Sequence, residues 1–373
     1  MKKLLIFLVA PFLLWGCEEN ISNTDNNPET IKIGGIAPLS GDGATVGLMI
    51  QNVTNLAIET INNDGGINGK NIEILWEDGK CNPGDSSRST QKLVNIDKVT
   101  AILGGVCSGE TLGAAPITEK KKVILLSSAS SSPEITSAGD FVFRTSPSDN
   151  SQGSILADYA NKNFKKVGMI TEQTDYSIGI ASTFKEHFTG EIVEENYLPT
   201  ESDFKTRITK LKNENIEGVL LIPQSPAKFE ILIRQLQEQN WDKPILSNEI
   251  VTNTEVLKKF SDFFVKVSYV GAQFIVPDSE NLNTFIDSYT TKFGEVPIYT
   301  NYVATTIDAV NMLAKALKEV ESNDTEKIRD ALYNIQNYEG FSGNISFDKN
   351  GDINITHSLF SFDGEKLVSL DEK

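Results

Sequence analysis

The 373-residue sequence predicts an α/β protein built from two Rossmann-like lobes, and three observations carry that expectation. From Ile31 onward short apolar runs alternate with amphipathic stretches, the pattern of βα units laid on a parallel sheet. The pattern runs once up to Arg144 and starts afresh after Asp149. About 340 residues remain once the N-terminal leader is set aside, enough for two domains of ordinary size.

The leader reads Met1-Lys2-Lys3, an apolar run from Leu4 to Trp15, then Gly16-Cys17. A charged start, a short apolar middle and a small-residue end make residues 1–16 a secretory signal. The apolar run has twelve residues, too few to span a bilayer as a helix. Leu14-Trp15-Gly16-Cys17 resembles the bacterial lipobox, which would make Cys17 the acylated first residue of the mature protein. An ordinary signal peptide with a chance Cys is the alternative. Residues 17–30, polar apart from Ile21, cannot bury enough surface to order themselves and form a tether.

The first βα series begins with the strand Ile31 to Ala37. Val46, Met49, Ile50, Val53, Ala57 and Ile61 then recur at helical spacing, and Asp64-Gly65-Gly66 ends that helix. Strands follow at 72–76, 100–103 and 123–126, with helices around 90–96 and 112–120. The second series has strands at 166–171, 190–195, 218–222 and 244–246, alternating with helices near 155–163, 178–188, 204–213 and 227–240. A strand near 270–276, helices at 281–293, 302–320 and 326–334, and β-like segments at 343–347 and 358–362 complete the chain.

Loss of Lys2 and Lys3 with the signal takes the formal charge from −17 to −19. So acidic a chain repels phosphate backbones, which argues against nucleic acid as a partner. With Cys17 assigned to lipid, Cys81 and Cys107 remain as a pair in an oxidising compartment. A bridge between them would contribute about 3 kcal/mol through chain entropy; two separate thiols are the alternative. His187 and His357 lie in stretches that read as helix or strand body and give no metal-ligand spacing, and no motif asks for a cofactor.

Gly41-Asp42-Gly43-Ala44-Thr45-Val46-Gly47 imitates a dinucleotide fingerprint, but its last Gly comes one residue late. Asp348-Lys349-Asn350-Gly351-Asp352 imitates a calcium loop, with the Gly two positions early and Leu359 at the twelfth position, so a turn is expected there instead. The loops Gly104-Gly105-Val106-Cys107-Ser108 and Ser127 to Pro133 follow buried strands at the carboxyl edge of the first sheet, where open α/β sheets bind ligands. Their hydroxyls and amides suit a carboxylate; solvated loop serines are an equal alternative. Ser108 has no G-x-S-x-G elbow and no partner base, so an enzyme is not expected.

Leu39-Ser40-Gly41, Ile61-Asn62-Asn63-Asp64-Gly65-Gly66-Ile67-Asn68-Gly69, Cys81, Gly104 to Ser108 and Ser128 to Glu134, in that order after a signal peptide, resemble the leucine/isoleucine/valine-binding protein family, the type I periplasmic binding proteins of ABC importers. The resemblance runs over residues 31–373, with Phe143 to Asp149 similar to the first interlobe crossover. It implies two lobes joined by three crossing strands, 31–148 with 276–352 and 149–275 with 353–373, a Cys81–Cys107 disulfide, and a ligand in the cleft between the lobes. Ser108, Ser130 and Ser131 would hold the α-carboxylate of an amino acid, Glu249 its ammonium, and Tyr176 and Tyr302 would line the cleft. Val46 and Gln224 stand where the branched-chain pattern has aromatics, which widens the pocket and adds a polar group. The expected protein is therefore a lipid-anchored extracytoplasmic solute-binding protein of an ABC importer. Its expected ligand is a small polar solute, a neutral or branched-chain amino acid, captured by lobe closure and delivered to a permease. The alternative is a sensor that presents its solute to a membrane receptor.

Overall fold

The computed structural model describes residues 30–251 and 254–370, so the signal segment, Cys17 and all but the end of the tether lie outside the described residues. Five parallel strands form the first sheet: β1 (Ile31–Ala37), β2 (Ile72–Asp78), β3 (Ala101–Gly104), β4 (Ile124–Ser127) and β5 (Val142–Arg144), in the order β2-β1-β3-β4-β5. Its connections carry α1 (Ala44–Asn63), α2 (Pro83–Lys92) and α3 (Ser108–Lys121). The chain then enters the second sheet through α4 (Asp149–Asn163), β6 (Lys166–Glu172), α5 (Asp175–His187) and β7 (Glu191–Tyr197). It continues as α6 (Lys205–Lys212), β8 (Gly218–Ile222), α7 (Pro226–Glu238), β9 (Ile245–Ser247), α8 (Thr254–Lys259), α9 (Ser261–Val267) and β10 (Tyr269–Phe274). Next come α10 (Glu280–Phe293), α11 (Thr300–Val320), α12 (Thr325–Tyr333) and the hairpin β11 (Tyr338–Gly340) and β12 (Gly343–Ile345). Strands β13 (His357–Phe362) and β14 (Leu367–Ser369) return to the second sheet, whose order is β14-β13-β10-β9-β8-β6-β7 with β13 antiparallel to β10.

Burial explains the pattern. Every residue of β8, Gly-Val-Leu-Leu-Ile, is buried, as a parallel strand covered by helices on both faces must be. The edge strand β7 instead exposes Glu191 and Glu194, and charge on an edge resists pairing with another chain. One hydrophobic core joins Ile33, Leu103 and Leu126 of the first sheet to Val310, Leu313 and Phe347 from far later in the chain. The chain thus crosses between two lobes three times: after β5, after β10 and before β13. Helix α1 lies against the loop that leaves β1. A Cβ on Gly47 would sit 2.0 Å from the Pro38 carbonyl oxygen, so only glycine permits this approach.

Two helices depart from the sequence expectation for the same physical reason. Helix α2 begins at Pro83 rather than near Thr90, because Asn82 caps it by accepting the N–H groups of Gly84 (2.9 Å) and Asp85 (3.1 Å). Helix α4 begins at Asp149 rather than near Ile155, under a Ser148 cap. Both first turns are polar, so no apolar period announces them. Asn350-Gly351 forms a turn, with Gly351 at φ 76° and Phe347 bridged to Ile353. Among the described residues no helix is long and apolar enough to cross a membrane.

Candidate functional site

Parallel strands send all their following loops to one edge, and here the carboxyl edges of both sheets converge on one cavity. Pro38, Asp42, Cys81, Ser108 and Ala129 line it from the first sheet, Tyr176, Gln224, Ser225 and Ile250 from the second, and Tyr302 from α11.

On the first wall Cys81 and Cys107 are joined by a disulfide, Cα to Cα 5.1 Å. Glu110, in the first turn of α3, accepts the N–H groups of Cys81, Val106 and Cys107 at 3.0 Å each. Burial nevertheless pushes its carboxyl up to about 7. The Ser108 oxygen accepts the N–H groups of Ser131 (3.3 Å) and Ser132 (3.1 Å), which leaves its own proton to donate. Ser130 is buried beneath, its hydroxyl 2.9 Å from the Gly105 carbonyl and 2.7 Å from Thr111 Oγ1. The Ser131 hydroxyl donates to Asp149 Oδ2 at 2.9 Å.

The opposite wall carries Tyr176, 5% exposed, whose hydroxyl makes no hydrogen bond. A buried polar atom left unpaired is costly, and this one sits on a cavity wall. The Gln224 backbone N–H donates to Glu172 Oε2 at 2.7 Å, which also takes the Tyr197 hydroxyl at 3.1 Å. At the rim, Lys228 Nζ lies 3.8 Å from Asp42 of the first lobe.

Glu249, just after β9, is 3% exposed and stands one side chain behind the cavity. The Tyr302 hydroxyl donates to its Oε1 at 2.7 Å, and His357 Nε2 lies 3.1 Å from its Oε2. Asp149 closes the group, with Gln152 Nε2 donating to its Oδ1 at 2.7 Å. Burial, with the Glu249 charge second, holds the Asp149 carboxyl well above the usual carboxylate range. Asp149, Glu249 and His357 bring donor atoms within 4.8 Å of one another, spacing a metal ion could use, but each of those atoms is already engaged in a protein hydrogen bond.

Of the residues singled out in the sequence, Ser108, Tyr176, Gln224 and Tyr302 reach the cavity wall, and Ser130, Ser131 and Glu249 lie buried directly behind it. Asp149, Gln152 and His357 were not singled out for the site. Asp149 had a signal in the Ser148-Asp149 helix start, but nothing in the sequence sets His357 apart from an ordinary strand residue.

Residues 30–364 match the family described as periplasmic binding protein. The leucine-, isoleucine-, valine-, threonine-, and alanine-binding protein of Pseudomonas aeruginosa is 29% identical over 332 residues, 87% of this chain and 87% of that one. Among solved structures, the branched-chain amino acid transporter substrate binding protein of Streptococcus pneumoniae, in complex with isoleucine, superposes with a TM-score of 0.78 at 28% identity, covering 91% of this chain and 100% of that one. A solute binding protein of an ABC transporter from Rhodopseudomonas palustris BisB5, in complex with 3,4-dihydroxybenzoic acid, gives 0.77 at 25% identity over 91% and 96%.

Proposed function

The chain belongs to the periplasmic binding protein family, and from that membership we propose that it is the lipid-anchored, solute-capturing component of an ABC importer, with a neutral amino acid as its ligand. Members of this family bind solutes and catalyse nothing. The observation that carries the amino-acid reading is a single cavity with a Ser108 hydroxyl free to donate on one wall and a buried Glu249 carboxylate behind another. The α-carboxylate meets Ser108 at the first turn of α3, where the helix dipole favours an anion, while Ser130 and Ser131 shape the loop beneath. The α-ammonium pairs with Glu249, on the side of the cavity that Tyr176 and Tyr302 line. The side chain lies among Val46, Val106, Ala129 and Ile250, with Gln224 as the polar member. The relatives from Pseudomonas aeruginosa and Streptococcus pneumoniae, named for or complexed with neutral amino acids, support this reading. An aromatic acid such as the one held by the Rhodopseudomonas palustris protein would meet Asp149 and Glu249 with no cation to offer them.

In this reading residues 31–148 with 276–352 make one lobe and 149–275 with 353–373 the other, and ligand bridging them shifts an open form to a closed one that docks on the permease. The division is supported by the core that joins the first sheet to Val310, Leu313 and Phe347. A thermal-shift screen of soluble residues 31–373 against the proteinogenic amino acids and hydroxybenzoates tests the ligand class, because a ligand of the folded form raises stability by mass action. A neutral amino acid should give the largest shift; a best ligand without an amino group overturns the reading. The anchor is supported by the apolar run ending at Gly16-Cys17. Mass spectrometry should find Cys17 as an acylated N-terminus, and an unmodified Cys17 or cleavage elsewhere removes that part.

A further inference from the structure

Helix α5, which follows β6 of the second sheet, lies against the loop that runs from β4 of the first sheet to Pro133, and a glycine sits where they meet. Gly179 is inside α5, where glycine weakens a helix relative to alanine, so its place there asks for a steric reason. A Cβ on Gly179 would sit 2.7 Å from Pro133 Cδ and 3.2 Å from Ser132 Oγ, both on the far side of the cleft. Packing within the second lobe is not that reason. There α4 approaches α5 through a different glycine, Gly153, whose Cβ would meet Thr183 Cβ at 2.6 Å. Gly109 on α3 of the first lobe faces α5 in turn, its Cβ 2.6 Å from Asp175 Oδ2. The Asp175 carboxylate ends a flexible side chain and can swing aside, whereas the Pro133 ring is rigid.

Both surfaces are held in place. Ser132 donates its N–H to Ser108 at 3.1 Å, and its carbonyl accepts from the buried Arg144 at 2.8 Å. Pro133 opens a short 3-10 turn, Pro133–Ser137, that Ser132 caps. On the other side Ile180 and Phe184 of α5 are fully buried in one core with Val167 and Met169 of β6. Surfaces packed this tightly have two arrangements, docked or parted, rather than a soft range between them. The contact also joins the two walls of the cavity. Helix α5 carries Tyr176 to one wall, and the Ser131 and Ser132 N–H groups hold Ser108 on the other.

We propose that Gly179 and Pro133 form the stop that sets how far the lobes close: the bare backbone at Gly179 lets the Pro133 ring dock on α5, and in that docked form Tyr176 and Ser108 enclose one ligand. The proposal rests on the lobe-closure reading above. A methyl group at position 179 has room while the lobes are apart and none once they meet, so it holds the cleft ajar. It thereby separates two quantities that ordinary packing damage moves together. Binding weakens, while the ligand-free fold keeps its stability.

The test uses soluble residues 31–373 with spin labels on Lys120→Cys and Glu186→Cys, exposed positions on α3 and α5, and an equimolar mixture of the proteinogenic L-amino acids and hydroxybenzoates as the probe. In the parent the mixture should shorten the distance between the labels. In Gly179→Ala more of the long distance should remain, and the half-saturating concentration should rise by about tenfold or more, the size of a typical overpacking cost. The urea midpoint of ligand-free Gly179→Ala should be no lower than the parent's, because alanine favours the helix. Adding Pro133→Ala removes the ring carbons that the new methyl meets and should restore most of the lost affinity. Full closure with unchanged half-saturation in Gly179→Ala overturns this proposal alone. So does a lowered urea midpoint, or a Pro133→Ala addition that restores nothing. If the mixture brings no change in the parent, the solute-capture reading falls and this proposal falls with it.

Discussion

The Glu249 carboxylate is 3% exposed and held by Tyr302 and His357, so in the proposed reading it and the ligand's ammonium form a desolvated pair. Removing one partner of such a desolvated pair costs about 2–5 kcal/mol. Calorimetric titration of Glu249→Gln with the best amino acid should therefore show at least about a thirtyfold loss of affinity. Glu238, exposed and paired with Lys205 at 2.9 Å, supplies the control: Glu238→Gln should bind as the parent does. At this scale the sequence was informative wherever chemistry and position coincide. Hydroxyls after buried strands pointed to Ser108, and the family pattern pointed to Glu249. It was silent about His357, because a residue on a strand says nothing of what its ring will face, here Ser151 and Glu249, 206 and 108 residues earlier, and it left Asp149 in the crossover without a chemical role.

Helix α3 shows how an element can fasten a site and make it sensitive to pH. Glu110 in its first turn accepts three backbone N–H groups and so ties the disulfide loop to the helix that carries Ser108. Its folded value is raised from 4.5 to about 7, so its contribution to stability is complete below about 4.5 and is lost as pH rises through about 7. That loss is on the order of 3 kcal/mol. Glu110→Gln should flatten this part of the pH dependence, and urea midpoints at a series of pH values across the interval check it; an unchanged slope disproves the assignment. Strand β8 was legible because a strand buried on both faces must be continuously apolar. The start of α2 was not, because Pro-Gly-Asp-Ser-Ser-Arg-Ser-Thr-Gln-Lys forms its helix on a cap rather than on an apolar stripe. Helices α8 and α9, missed altogether, are six and seven residues long, too short to show a period.

For the whole molecule, the two-lobed α/β architecture was legible because the βα alternation is written twice, whereas the way the lobes are joined depends on contacts distant in sequence. The chief of these is Arg144. Fully buried at the end of β5, it reaches Asp352 through two hydrogen bonds, Ser132 O at 2.8 Å and Thr136 Oγ1 at 2.9 Å, and its backbone N–H meets Gly351 O at 3.0 Å. Arg144→Met leaves Asp352 with the Thr136 hydroxyl but without its cation, and should cost about 3–5 kcal/mol, read from denaturant midpoints. A loss below about 0.5 kcal/mol would place the joint elsewhere. Arg144 and Asp352 belong to the segments that carry the first and third crossings, so one rivet fastens two of the three straps. A rivet of this kind acts as an axle, and displacement on closing grows with distance from it. Asp42 follows β1, three strand spacings from β5 in the first sheet, roughly 14 Å away. Under the proposed closure a spectroscopic label at Asp42 should therefore travel relative to the second lobe, while one at Thr136, beside the axle, should stay nearly still.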